Sequence, residues 1–354
     1  MNHEEELNKL LDTTITESAS DLHLSEGRYP TIRVNSQLIP IVSSNILTHD
    51  DIRQFISLMT KGLRKPFDEN SMEELDFSYK YKDKARFRGN AYRQQGFLSI
   101  SLRLIPNQIR TISELNLPVE LEQFAHKKQG FFLVVGPVGQ GKSTTLAAII
   151  ESINKERAEH IITIEDPIEY VYEQKKSIID QREVGIDTET FEAGLISALR
   201  QDVNVILVGE MRDKETMQAA VTAAETGHLV LSTLHTNNAA QTVDRIIDTF
   251  PANQQDQIRL QLSNALAGVL SQRLVPRISG GLIPVFELMI TNNAVQNLIR
   301  EKRTHEINTV IETGSHDGMI DMNRCLAELV QRGEISLEDA YAHSLNPKLL
   351  QKLL

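Results

Sequence analysis

Nine residues constrain this chain more than any others. GPVGQGKST, residues 136–144, lies directly between the apolar run FFLVV and the helical stretch TTLAAIIESIN. It matches the spacing G-x-x-x-x-G-K-[ST] where that spacing has meaning, at a buried strand turning sharply into a helix. Gly136, Gly139 and Gly141 let the backbone curl into a cradle of inward N–H groups, and the helix adds the positive end of its dipole. Pro137, Val138, Gln140 and Thr144 complete the loop. Lys142 is positioned for β- and γ-phosphates and Ser143 for Mg²⁺, so the expectation is binding of ATP with Mg²⁺.

Such a loop needs a parallel sheet around it, and the chain supplies one. FFLVV, IITI, VILVG and HLVLST are short, nearly continuous apolar runs separated by helical segments such as KETMQAAVTAAETG, the pattern of strands covered by helices on both faces. The first hundred residues read differently, as a small α+β unit. TIRVNSQLIPIV predicts two strands around an Asn35–Ser36 turn, and LTHDDIRQFISLM predicts a helix burying Ile52, Phe55, Ile56 and Met59. Phe77, Tyr79 and Tyr81, then Leu98, Ile100, Leu102 and Leu104, alternate as half-buried antiparallel strands do. Pro106 and NQIRT read as a linker, which sets the expected domains at 1–111 and 112–354. From about residue 252 onward the second domain reads as mostly amphipathic helix, including PANQQDQIRLQLSNALAGVLSQRL, with one strand at IPVFEL.

Three further stretches carry candidate chemistry. VNVILVGEMRD ends an apolar strand in Gly209-Glu210, where a carboxylate faces the metal or its water. TIEDPIEY places Glu165, Asp166 and Glu169 within five residues, again at a strand end, and any of them suits the role of orienting a water for attack on a γ-phosphate. TGHLVLSTLHTN carries a histidine at each end of a strand. In a parallel sheet the carboxyl ends form the ligand crevice, so His235 points toward the edge that holds the P-loop and Glu210, as a sensor of the γ-phosphate. His228, at the other end, reads as structural or interfacial from the residues alone.

Charge narrows the function classes. A formal net charge of -11 and the absence of Trp argue against a nucleic-acid binder, which needs a cationic surface and stacking platforms. Residues 79–103 nevertheless hold seven Lys or Arg against one Asp, a local +6 that calls for an anionic partner or an acidic neighbour. The single cysteine, Cys325, excludes an internal disulfide and a cysteine-rich zinc module, and it sits in a helical pattern that reads as core. No apolar run approaches the roughly 18 residues of a membrane span, and MNHEEELNKL is too acidic for a secretory signal, so the expected location is cytoplasmic without membrane insertion.

The P-loop, the acidic box, the Gly-Glu strand end and the paired histidines, in that order and spacing, resemble the secretion and type IV pilus motor ATPases, and most nearly the PilT family of pilus retraction ATPases. The resemblance runs from SDLHL at residue 20 to the final helices. AVQNLIR, residues 294–300, resembles the AIRNLI motif associated with retraction, departing from it at Val295 and Gln296. The resemblance implies a PAS-like N-terminal domain, a RecA-like ATPase domain with a helical C-terminal region, and a homohexameric ring. It further implies that Glu169 is the favoured general base with Glu165 and Asp166 nearby, that Glu210 is the second-strand carboxylate, and that His228 and His235 form the family's histidine pair, with His228 placed among the nucleotide-binding residues. Arg88 and Arg103 match N-terminal arginines that reach nucleotide phosphates. The implied work is depolymerising a type IV pilus at its base, against an inner-membrane platform protein. The alternatives are a pilus extension or type II secretion ATPase of the same superfamily and, from another class, a nucleic-acid translocase.

Overall fold

Alternating and continuous apolar runs sort into two different sheets. The computed structural model describes residues 2–34, 37–63, 67–68, 74–82, 84–105 and 108–354. The expected Asn35–Ser36 turn and Pro106 lie outside these residues. The chain divides into two compact units, the first comprising residues 1–108 with 167–171 and 183–187, the second the remainder.

In the first unit, α1 (His3–Thr16) precedes β1 (Asp21–Ser25), β2 (Thr31–Val34), β3 (Gln37–Pro40), α2 (His49–Met59), β4 (Glu74–Tyr81), β5 (Ala85–Gln94) and β6 (Phe97–Ile105). The strands pair antiparallel in the order β3-β2-β1-β6-β5-β4. Thr48 and Asp51 form a capping box that starts α2. The face predicted for that helix, Ile52, Phe55, Ile56 and Met59, is buried with Leu7, Leu10 and Leu11 of α1 against Leu22, Phe87 and Leu102 of the sheet.

In the second unit, α3 (Glu122–His126), β7 (Gly130–Val135), α4 (Lys142–Glu156), β8 (His160–Glu165), β9 (Ile178–Glu183), α5 (Phe191–Ala198), β10 (Val205–Val208), α6 (Lys214–Glu225) and β11 (Leu229–Leu234) form the α/β alternation expected from the sequence. They are followed by α7 (Ala239–Asp248), α8 (Ala252–Ala265), β12 (Leu266–Pro276), β13 (Leu282–Ile290), α9 (Asn293–Arg300), α10 (Ile307–Thr313), α11 (Met322–Gln331), α12 (Leu337–His343) and α13 (Pro347–Leu353). The sheet order is β13-β12-β7-β11-β10-β8-β9. β7, β11, β10 and β8 are parallel neighbours, β12 runs parallel to β7, and β13 returns antiparallel. Every residue of β7, β10 and β11 is buried, which is why these runs are apolar without alternation.

The structure corrects one reading of this region. The stretch that reads as a single helix ends at Ala265, and LAGVLSQRLVP is strand β12. Its apolar spacing suits a helix equally well, but β7 offers an open edge of backbone donors and acceptors that β12 satisfies. Gly268 allows the approach, because a Cβ there would meet the Met289 carbonyl at 2.7 Å and the Phe124 ring at 2.8 Å. The predicted strand at IPVFEL is present and extends through β13. Among the described residues no helix is long and apolar enough to cross a membrane.

Candidate functional site

β7 ends at Val135 and continues into the glycine loop. Gly136 has φ +145°, and a Cβ there would stand 2.3 Å from the Gln272 backbone oxygen, so a larger residue displaces a strand. Gly141, at φ +77°, is the left-handed N-cap of α4. No side chain caps α4, and its first turn carries no acidic residue. First-turn amides without a side-chain acceptor, at the positive end of a helix dipole, fit an anionic group such as a phosphate. The loop tip is open to solvent, with Val138 79% exposed.

Beneath the loop lies Lys142, only 8% exposed. Its ammonium donates to the carbonyls of Gly136 at 2.8 Å and Pro137 at 2.9 Å, and to His235 Nδ1 at 3.2 Å. An ammonium has donors only, so His235 Nδ1 accepts, and the proton of the neutral imidazole sits on Nε2. That nitrogen is 3.1 Å from Glu210 Oε1, to which it donates. Glu210 Oε2 accepts from Arg212 Nη2 at 2.9 Å. A continuous polar chain therefore runs Lys142, His235, Glu210, Arg212. Burial pushes the Glu210 carboxyl upward, but the Arg212 hydrogen bond and charge, with those of His235, hold it below its ordinary value. Glu210 is thus a carboxylate at neutral pH.

Strand order explains the convergence. Val135 is in register with Leu234, Ser232 with Val208, and Val208 with Ile164, so the segments that follow β7, β11, β10 and β8 leave the sheet at one edge. They carry the P-loop, His235 and Glu210 beside Glu165, the last residue of β8, and Gly209 N donates to Ile164 O at 2.8 Å to join the last two strand ends. Ser143 and Thr144 are half-buried at the start of α4. Glu165 is 7% exposed and accepts from Thr163 Oγ1 at 2.6 Å and Gln181 Nε2 at 3.3 Å, while Asp166 is exposed and helps hold the Arg212 proton.

One expected site residue stands at the other end of its strand. His228 stands at the amino end of β11, about 20 Å along the strand from His235, and donates from Nδ1 to Ala223 O at 2.9 Å in the turn that ends α6. That is the edge of the parallel sheet opposite the one at which the P-loop, Glu210 and His235 converge. Glu169 belongs to the first unit, since the chain leaves the second unit after Asp166. There its Oε1 lies 3.9 Å from Arg88 Nη1.

The local positive charge of the first unit is largely met by acids. Arg88 and Arg103 are opposed on β5 and β6, and Arg103 Nε donates to Asp21 Oδ1 at 3.0 Å. Lys84 pairs with Asp12 at 2.6 Å and Arg86 with Glu183 at 2.5 Å. Asp21, Arg88, Gly89, Asn90, Ser101 and Arg103 line a cleft of about 130 Å³. Sequence reasoning missed Arg212, although it lies two residues past Glu210. It also missed Gln272, which reaches the P-loop from β12 and had no local signal at all.

The chain matches the family model described as "Type II/IV secretion system protein" over residues 2–338. It is 44% identical over 336 residues to the type IV pilus retractation ATPase PilT of Pseudomonas aeruginosa, covering 95% of this chain and 97% of that protein. It is 39% identical over 340 residues to the type IV pilus ATPase PilU of the same organism, covering 96% and 88%. A crystal structure of the pilus retraction motor PilT with bound ADP superposes with a TM-score of 0.88 at 41% identity, covering 98% of each chain.

Proposed function

Since the chain belongs to the type II/IV secretion system protein family and is an ATP hydrolase, we propose that it is the motor that retracts a type IV pilus. The observation that carries the site assignment is the chain Lys142–His235–Glu210 beneath the P-loop. In this reading the loop amides cradle the phosphates, Lys142 turns from its own loop carbonyls to the β- and γ-phosphates, and His235 registers the γ-phosphate. Loss of that phosphate on hydrolysis returns His235 to Lys142, giving two states with different contacts at one residue. A ligand drives motion only through such differences in affinity between states.

Among the described residues no cluster of three His, Cys, Asp or Glu is placed to hold a metal. Mg²⁺ suits such a site, because it keeps several waters and takes one or two protein oxygens together with substrate phosphates. Ser143 and Glu210 would supply those oxygens, and the bound ion would neutralise charge developing on the phosphates. Glu169 is proposed as the base that orients the attacking water, with Glu165 and Asp166 shaping the field around it. Arg88 and Arg103 are proposed to stabilise phosphate charge within a homohexameric ring. The ring would act in the cytoplasm against an inner-membrane platform protein.

Retraction is favoured over extension by the near full-length identity to the retraction protein and by a single cysteine, which cannot form a four-cysteine zinc module. A deletion strain decides between them: hyperpiliated, non-motile cells support retraction, whereas cells without pili overturn it in favour of extension.

A further inference from the structure

We propose that Gln272 of β12, acting with Gln140, is a positioning residue that holds the P-loop in its phosphate-binding shape from the neighbouring strand. The inference rests on the P-loop being the nucleotide site and adds to its machinery a residue 132 positions from Gln140.

Ser271 pairs with Val135 in the β12–β7 ladder, so Gln272 stands beside Gly136, one step past the end of β7. Its side chain is 3% exposed, and both ends of the amide are engaged. Nε2 donates to the Gln140 carbonyl at 2.7 Å, and Oε1 accepts from Thr145 Oγ1 at 2.7 Å. A carbonyl only accepts, so the Gln140 contact fixes which way the amide faces. A second tie runs in the opposite sense, with Leu274 N donating to Gln140 Oε1 at 2.7 Å. Two alternate residues of one strand thus grip both the main chain and the side chain of a single loop residue. The same strand bounds the loop at its other shoulder, where the Gln272 carbonyl excludes any Cβ at Gly136. A Cβ at Gly141 would lie 3.0 Å from Gln272 Nε2, so the loop is closely fitted to this one residue at two of its three glycines, to its backbone at Gly136 and to its side chain at Gly141.

The consequence is preorganisation. A glycine-rich loop has many conformations and only the cradle has its amides converging, so apparent affinity falls with the fraction of molecules that hold it. Ties from a ladder strand raise that fraction without touching the ligand.

The test uses the purified full-length chain, fluorescent ADP and differential scanning calorimetry without nucleotide. Gln140→Ala removes the partly exposed half of the clamp and leaves the buried amide in place. Gln272→Met keeps the volume and deletes both amide contacts. The expected result is an ADP dissociation constant raised about threefold in the first and about tenfold in the second, as each lost hydrogen bond unlatches the loop. The nucleotide-free melting temperature of Gln140→Ala should match the parent, a split that a merely structural role does not produce. Parental affinity in both variants overturns the proposal. If Gln272→Met fails to fold, Gln140→Ala alone decides, and parental affinity there overturns it. Failure of the parent to bind ADP would instead overturn the nucleotide-site reading.

Discussion

Lys142 and His235, 93 residues apart in sequence, are joined by a hydrogen bond of 3.2 Å from Nζ to Nδ1. The bond sets the tautomer of the imidazole and thereby aims its proton at Glu210. In the proposed nucleotide-bound state, phosphate charge at Lys142 would therefore be felt at a carboxylate two side chains away.

Lys142→Ala removes the group that bridges the loop carbonyls to His235, and Glu210→Ala removes the carboxylate at the other end. Each should lower ATP turnover by about a hundredfold or more, measured as phosphate release. Near-parental hydrolysis in either variant contradicts the assignment.

His235→Ala should slow the chemical step about a hundredfold while leaving ADP affinity within a few-fold of the parent, because the loop amides and Lys142 remain. Single-turnover hydrolysis beside equilibrium binding separates the two. Equal loss in both assays contradicts a γ-phosphate sensor.

Arg88→Ala should inactivate the proposed ring. Mixing it with Lys142→Ala subunits should restore part of the turnover if Arg88 acts on a neighbour's nucleotide, since each variant then supplies what the other lacks. Two inactive variants that stay inactive when mixed place Arg88 in its own subunit's chemistry.

Gly136→Ala should destabilise the second unit by about 2 kcal/mol or more, since a Cβ meets a strand carbonyl at 2.3 Å and the backbone is held at φ +145°. Thermal unfolding gives the value. An unchanged melting temperature means that the strand and loop separate easily.

Glu287 of β13 gives a pH dependence with a definite sign. It accepts from Ala239 N, at the start of α7, at 2.9 Å and from Ser271 Oγ at 3.1 Å. Burial raises its carboxyl from 4.5 to about 7, with Asp321 adding to the rise while the two hydrogen bonds and Arg273 oppose it. Between those values the folded chain keeps a proton that the unfolded chain has lost. The stabilisation is therefore full below about 4.5 and is lost as pH rises through about 7. Glu287→Gln removes this slope, and relative to the parent it should gain on the order of 3 kcal/mol between pH 4.5 and 8. Parallel melting curves across that range contradict the assignment.

Much of the site was legible because its parts are local. A buried parallel strand reads as an unbroken apolar run, a phosphate loop must have glycines where the backbone turns, and polar residues just past such runs fall at the ligand edge. On that basis Lys142, Glu210 and His235 are expected at one edge of the sheet, where the structure brings them into contact. Strand β12 was not, because ALAGVLS carries an apolar period that helix and strand share, and the arbiter is the edge of β7, more than 130 residues earlier.

The sequence by itself determined the P-loop, the α/β sheet that supports it and the carboxylate and imidazole at neighbouring strand ends, since each follows from backbone geometry and burial within a few residues. Only the tertiary structure decided that Gln272 clasps the loop, that Lys142 rests on His235, that the acidic box is divided after Asp166 and that the basic strands meet acids of their own unit. Those contacts join positions distant in the chain, and their partners are selected by sheet order and packing, which no local pattern encodes.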